Sequence, residues 1–435
     1  MSRILAILAA MVVLLTACSD SDAERGSPAT VTATSLVQSR SVPSSVPTPE
    51  PSFSALPDPS PEPVSPPIVV KSQETVLPAL LAEVTTAWGT DWSRRTIDLQ
   101  DLRVGVVFSD PRDVIPPLDS PTFTSVVDAE FDPREPGMMV VIDGDARFYP
   151  LQILNLHEVV NDEIAGTPVA ITYCPLCNSA VVFDRRVGGE ELTFGTSGLL
   201  RNSDLVMWDR MTESLWQQIT GEAIVGELAG TSLKMLPTSI VRFADFAEAN
   251  PRGLVLSPDT GIYGAYGVNP YVGYSSAQAP DPNFFRGEYD ERLPALERVI
   301  GVNTGGESRA FPFSLMAEIR VANDVVGGVP VVVFWGAPDT ADALDAGTVA
   351  AGRAIGTGLA FLREVDGETL KFSLAEPNGD LFRDSASGST WTLLGRAIDG
   401  PLAGTQLELA PHTNSFWFAW AAFHPDASLA TSADG

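Results

Sequence analysis

A sequence that repeats in constant register is confined to two versions of one structural unit, and this chain repeats over most of its length. Arg147-Phe148-Tyr149-Pro150-Leu151 returns as Arg309-Ala310-Phe311-Pro312-Phe313, and Asn161-Asp162, Gly166 and Pro168 return as Asn323-Asp324, Gly328 and Pro330, all offset by 162. Asp209 and Trp216 recur at the same mutual spacing as Asp384 and Trp391. Gly226, Leu228-Ala229-Gly230, Leu233, Pro237 and Pro251 return 174 residues later. The pattern reads as a duplication, with copies over roughly 98–256 and 296–432.

One copy reads mostly as strands. Met138 to Ile142 and Ala146 to Tyr149 flank Asp143-Gly144-Asp145, a hairpin turn signal. Pro150 opens a helical stretch to about Asp162, with Leu151, Leu154 and Val159 on one side. Val169 to Tyr173 is a buried-looking strand, followed by strands around Ala180–Asp184, Leu192–Thr196, Leu205–Asp209 and Leu215–Gln218. A helix over Ile240–Ala249 closes the copy, with Trp417–Phe423 as its counterpart. The expected class is α+β: two homologous, mostly antiparallel β-rich domains in tandem with a few helices, after a disordered tether. The first domain spans 76–256 and the second 296–435. The connector 257–295 holds five of the seven tyrosines, Tyr263, Tyr266, Tyr271, Tyr274 and Tyr289. It reads as a packed strap across both domains, with a functional segment as the alternative.

The N-terminus reads as a targeting segment. Arg3 precedes the apolar run Ile4–Leu15, too short to span a bilayer, and Leu15-Thr16-Ala17-Cys18 resembles the lipobox of bacterial lipoproteins. Residues 1–18 are therefore expected to be a lipoprotein signal peptide and lipobox, with Cys18 lipidated. That places the protein at the cell membrane, facing the extracytoplasmic side, held by its lipid anchor. Residues 19–75, rich in Ser, Thr and Pro, form the tether. At about 3.1 Å per residue it reaches at most about 170 Å. The formal charge of −28, from 27 basic and 55 acidic residues, argues against a nucleic-acid partner. A monomer is expected, with a small-molecule or protein partner left open.

Residues special to one copy are candidates for function. The first copy has Tyr173-Cys174-Pro175-Leu176-Cys177 where the second reads Phe334-Trp335-Gly336-Ala337-Pro338, and His157-Glu158 where the second has Ile319-Arg320. The run Gly195 to Asp204 has no clear counterpart. Three readings of Cys174 and Cys177 stay open. A disulfide would close only four residues, a weak staple. A dithiol redox centre has the right spacing, although Ser179 to Phe183 looks like a strand where thioredoxin-like centres place a helix. As a metal knuckle the pair needs further ligands: His157 first, then His412, His424 or a carboxylate. Thiolate with imidazole suits zinc or copper(I). Arg201 and Asp204 join the cysteines as candidate catalytic residues, whereas Asp209 and Trp216 recur and read as fold residues. Position 161 is Asn where the zincin motif needs a second His, so a metalloprotease is not expected. The rival from another class is a non-catalytic module that holds a ligand or partner in the inter-domain cleft with the Tyr-rich connector.

The segments Tyr173-Cys174-Pro175-Leu176-Cys177-Asn178-Ser179-Ala180, Gly195-Thr196-Ser197-Gly198, Ser214-Leu215-Trp216-Gln217 and Trp420-Ala421-Ala422-Phe423-His424-Pro425 together resemble the domain-of-unknown-function family 3179 over about residues 95–428. The resemblance implies a bacterial or archaeal, often exported protein, and no established reaction.

Overall fold

The computed structural model describes residues 75–263, 266–377 and 379–432. Cys18, the lipobox and residues 19–74 of the tether lie outside the described residues. Among the described residues no helix is long and apolar enough to cross a membrane. The architecture is β-rich, with a few short helices between mainly antiparallel sheets.

After the helix Ala79–Val84 and the strands Leu102–Val104 and Phe123–Ser125, the first half forms a hairpin, Pro136–Ile142 against Asp145–Pro150. Its two turn residues, Asp143 and Gly144, both take positive φ, which matches the twist of the flanking strands. Pro150 then caps the helix Leu151–His157, which buries Leu151, Ile153 and Leu154. The helix stops well short of Asp162. Glu158 takes a left-handed φ of 59°, and Val159–Ile164 forms a strand paired with Thr167–Cys174. The buried, β-branched Val159 and Val160 favour that extended form over a fourth helical turn. A similar shortening occurs later: the expected helix Ile240–Ala249 begins at Phe243, because Ser239–Arg242 pairs with Pro136–Ile142.

Thr167–Cys174 also pairs with Ser179–Asp184, with Cys174 opposite Ser179. These strands lie in a four-stranded sheet flanked by Lys234–Leu236 and Val159–Ile164. A second, five-stranded antiparallel sheet carries the hairpin Phe194–Arg201/Asp204–Asp209.

The second half runs through corresponding elements. Arg298–Thr304 pairs with Glu307–Pro312, the helix Phe313–Ile319 ends at Arg320 with φ 65°, and Val321–Val326 pairs with Val329–Gly336. Side-chain contacts recur with them. Arg147 bonds Asp162 at 2.6 Å and Arg309 bonds Asp324 at 3.0 Å. Asn161 bonds the backbone N–H and C=O of Phe194, as Asn323 does those of Phe372. The indole N–H groups of Trp216 and Trp391 donate to Asp209 and Asp384, both at 2.9 Å. Replacing Asp209 with Ala strands a fully buried indole N–H. Unfolding in urea is expected to show a loss of about 1–3 kcal/mol.

The backbone ladder corrects one detail of the copy comparison. Tyr173 N–H donates to Glu158 C=O at 2.8 Å and Trp335 N–H to Arg320 C=O at 2.9 Å. Tyr173 therefore corresponds to Trp335 and Cys174 to Gly336, one residue along from the pairing expected from the sequence. Both large apolar clusters draw on both halves: Tyr149, Leu154 and Phe183 pack with Leu344, Phe416 and Phe418, and Phe148 and Phe246 with Phe334, Phe361 and Trp391.

Candidate functional site

Four residues, Pro175 to Asn178, turn the chain between the strands Thr167–Cys174 and Ser179–Asp184. Cys177 N–H donates to Cys174 C=O and Asn178 N–H to Pro175 C=O, each at 3.2 Å. Asn178 closes the turn at φ 50°, a conformation that asparagine tolerates better than most residues. Outside contacts pin the loop: the Tyr274 hydroxyl donates to Leu176 C=O at 2.9 Å and Phe416 N–H to Cys177 C=O at 2.8 Å. Both thiols are free and buried.

A second hairpin covers them. Arg201 and Asp204 face each other across a two-residue turn, Asn202-Ser203, in which both residues take positive φ. Backbone held in this region by non-glycine residues is strained and persists where packing fixes it. Here Ser203 N–H donates to Phe284 C=O at 3.2 Å, and the Cys174 thiol points at Ser203 C=O at 3.7 Å. The hairpin thereby delivers Asp204 to the thiols. One donor atom from each of Cys174, Cys177 and Asp204 lies within 4.8 Å of the others.

The immediate surroundings are polar, neutral and buried. Asp204 accepts from Gln217 at 2.6 Å and from Ile219 N–H at 3.0 Å. Ser179 donates to Gln218 at 2.7 Å, and Gln218 donates to the Thr172 hydroxyl at 2.9 Å. Glu158 lies one step away, its carboxylate 3.4 Å from the Tyr271 hydroxyl. Among the described residues these acids have no cationic hydrogen-bond partner, and their proton affinities respond accordingly. Burial lifts Asp204 to about 6, against the donors that lower it, and Glu158 to about 8. Burial pushes the Cys174 thiol up and the Cys177 thiol well up, and Asp204 adds to both. Thiols in this state are protonated at neutral pH and are poor nucleophiles.

Other residues singled out in the sequence sit elsewhere. The expectation that His157 is aimed at the thiols is corrected. Its Nδ1 lies 2.6 Å from Pro116 C=O and its Nε2 2.7 Å from the Tyr266 hydroxyl, and the rings of Tyr263 and Tyr266 pack against it. The helix ending at His157 turns its successor, Glu158, toward the strand that bears Cys174. His412 is engaged by Ser239 and Ala410, and His424 packs at a tilt on Trp420 and bonds Ser308, so neither joins the cluster. The Arg201 side chain packs over Phe423 and touches Gln217 at 3.4 Å, and Gln217 in turn donates to Asp204. The connector spans the site: Tyr266 meets His157, Tyr271 meets Glu158, Tyr274 meets the thiol loop, and Asn269 and Ser275 bond Gly347 and Asp342 of the second half. Sequence reasoning gave no site role to Ser179 or Gln218, polar residues at strand ends with no spacing signal.

A family model described as "Protein of unknown function (DUF3179)" matches residues 112–427. No curated protein and no solved structure matches the chain.

Proposed function

The chain belongs to this family of proteins of unknown function, and from that premise we propose that it is a lipid-anchored, extracytoplasmic metal-binding protein whose ion is held by Cys174, Cys177 and Asp204. The observation that carries the reading is the buried triangle of two thiols and a carboxylate, with donor atoms within 4.8 Å of one another. Ligands at about 2.0–2.3 Å from a tetrahedral ion stand about 3.3–3.8 Å apart, so shifts of an ångström or less would close the triangle. Buried acids call for a proton or a cation, and their hydrogen-bond partners here are neutral. Zinc accepts thiolate and carboxylate together, whereas copper(I) is selected by soft sulfur donors. The mixed set therefore favours zinc.

The test is direct. Full-length protein, purified in detergent with reductant, is titrated with zinc and with cobalt(II), whose thiolate charge-transfer absorption reports sulfur ligation. One ion per chain with that absorption supports the reading; no binding beyond that of a Cys174→Ser/Cys177→Ser variant sinks it. The dithiol redox reading draws on the adjacency of two free thiols, and a thiol count that rises on adding reductant would favour it.

Cys18 in its lipobox context supports the anchor. Cys18→Ser is expected to move the protein from the membrane pellet to the soluble fraction, with loss of fatty-acid labelling. The paired contacts of Arg147/Arg309, Asn161/Asn323 and Trp216/Trp391 support two homologous copies in tandem, of which the first carries the site.

A further inference from the structure

Three protein donors leave a tetrahedral ion one ligand short. We propose that Glu158 supplies the fourth, giving a closed site of two thiolates and two carboxylates, and that it gives up its hydrogen bond with Tyr271 to do so. The inference rests on the metal reading above and goes beyond it, because a site closed by four protein ligands has no open position for water or substrate. Such a site holds its ion for structure, storage or transfer rather than for hydrolysis.

Three observations carry it. The first is backbone placement. The helix Leu151–His157 ends at Glu158, whose left-handed φ of 59° turns the chain, and whose C=O accepts from Tyr173 N–H at 2.8 Å. Glu158 is thereby fixed across the ladder from the residue just before Cys174.

The second is an under-satisfied carboxylate. Glu158 is only 7% exposed, yet the Tyr271 hydroxyl stands 3.4 Å from it, longer than a good O–H···O bond. Buried charges are paired or coordinate metals, and this carboxylate has one long bond to a neutral hydroxyl.

The third is the contrast between the halves. Arg320 occupies the same backbone position, with φ 65° and the same bond from the following strand, at 2.9 Å from Trp335 N–H. The turn therefore does not require an acid. At Arg320 the side chain bonds Trp335 C=O and Asp380, and the residue corresponding to Cys174 is Gly336, which has no donor side chain. Acid and thiol occur together in one half and are absent together from the other. Two thiolates and two carboxylates would leave a zinc site with the charge of a four-cysteine site, a known structural class.

The experiment uses the full chain. Wild type, Glu158→Gln and Tyr271→Phe are titrated with zinc against a chromophoric chelator, and their cobalt(II) spectra are compared. Glu158→Gln is expected to bind at least about tenfold more weakly while keeping its sulfur charge-transfer band. Tyr271→Phe, which removes only the competing hydroxyl, is expected to bind as tightly as wild type or more so. Thermal melts of the metal-free proteins check that both variants fold. Glu158→Gln with wild-type affinity and an unchanged cobalt spectrum overturns the assignment and leaves the three-ligand reading standing. If wild type itself binds neither ion, the metal reading falls first.

Discussion

Replacing Cys174 and Cys177 together with serine is expected to abolish zinc binding and leave the fold in place. Serine hydroxyls do not ionise near neutral pH and are hard, weak donors for zinc, so the two strongest ligands would be lost at once. Structural zinc sites contribute about 10–16 kcal/mol of apparent binding free energy, most of it tied to thiolates. Loss of two thiolates should thus weaken binding by several orders of magnitude, well beyond the effect expected for Glu158→Gln. The fold should survive because the corresponding hairpin of the second half does without thiols: Val329–Gly336 pairs in register with Thr357–Leu362, and Phe334 and Trp335 are buried there. Chelator competition measures the first effect and circular dichroism the second. Retention of tight, stoichiometric zinc by the double-serine variant would rule out the thiol site.

The second large effect is a fall in stability of the metal-free protein as pH rises. Glu158 is lifted to about 8 in the folded chain from an ordinary 4.5, and Asp204 to about 6 from 3.8. Between the ordinary and the lifted values the folded state holds protons that the unfolded state has released. The stabilisation is fully present below the ordinary values and is lost as pH climbs through about 6 for Asp204 and about 8 for Glu158. Glu135, lifted by burial to about 7, acts in the same direction. Buried His412 and His424, held down to about 4, act in the opposite sense, with stability lost as pH falls below the ordinary imidazole value of 6.5. The clean window is therefore pH 6.5 to 8. Each fully engaged group is worth about 1.4 kcal/mol per pH unit, so Glu158 alone should account for on the order of 2 kcal/mol there. Urea denaturation of metal-free wild type and Glu158→Gln measures this; equal slopes would contradict the burial of an uncompensated Glu158 carboxyl. Zinc should reverse the trend, because binding displaces protons from thiols and carboxyls and tightens as pH rises.

How much of this was legible beforehand differs by residue. Cys174 and Cys177 stood out because cysteine is rare here and the second half lacks the pair. Asp204 drew notice because its segment, Gly195 to Asp204, had no evident counterpart; the structure shows that segment to be a longer hairpin whose tip lies on Cys174. Glu158 was noted only as the neighbour of His157, for a local reason. The apolar spacing of Leu151, Leu154 and Val159 fits a helix running on, and on that helix His157 is the residue with metal chemistry. The helix ends instead at His157, Val159 and Val160 join the sheet, and His157 bonds Pro116 C=O and the Tyr266 hydroxyl. Periodicity does not register a single residue at positive φ, and here one such residue, Glu158, ends the helix and starts the strand.

The sequence by itself determined the mainly antiparallel, strand-rich character of the chain, the turn at Asp143-Gly144, the proline-led helices, and the identity of the residues that recur. These depend on alternation, turn chemistry and backbone restriction, which act over a few neighbours. Only the tertiary structure decided which polar groups meet. Asp204, carried by another sheet, meets Cys174 and Cys177, and Tyr271 of the connector meets Glu158 at a helix terminus, all through packing across segments far apart in the chain. Local pattern carries no record of such contacts, because they are selected by how the apolar faces of both halves close over one another.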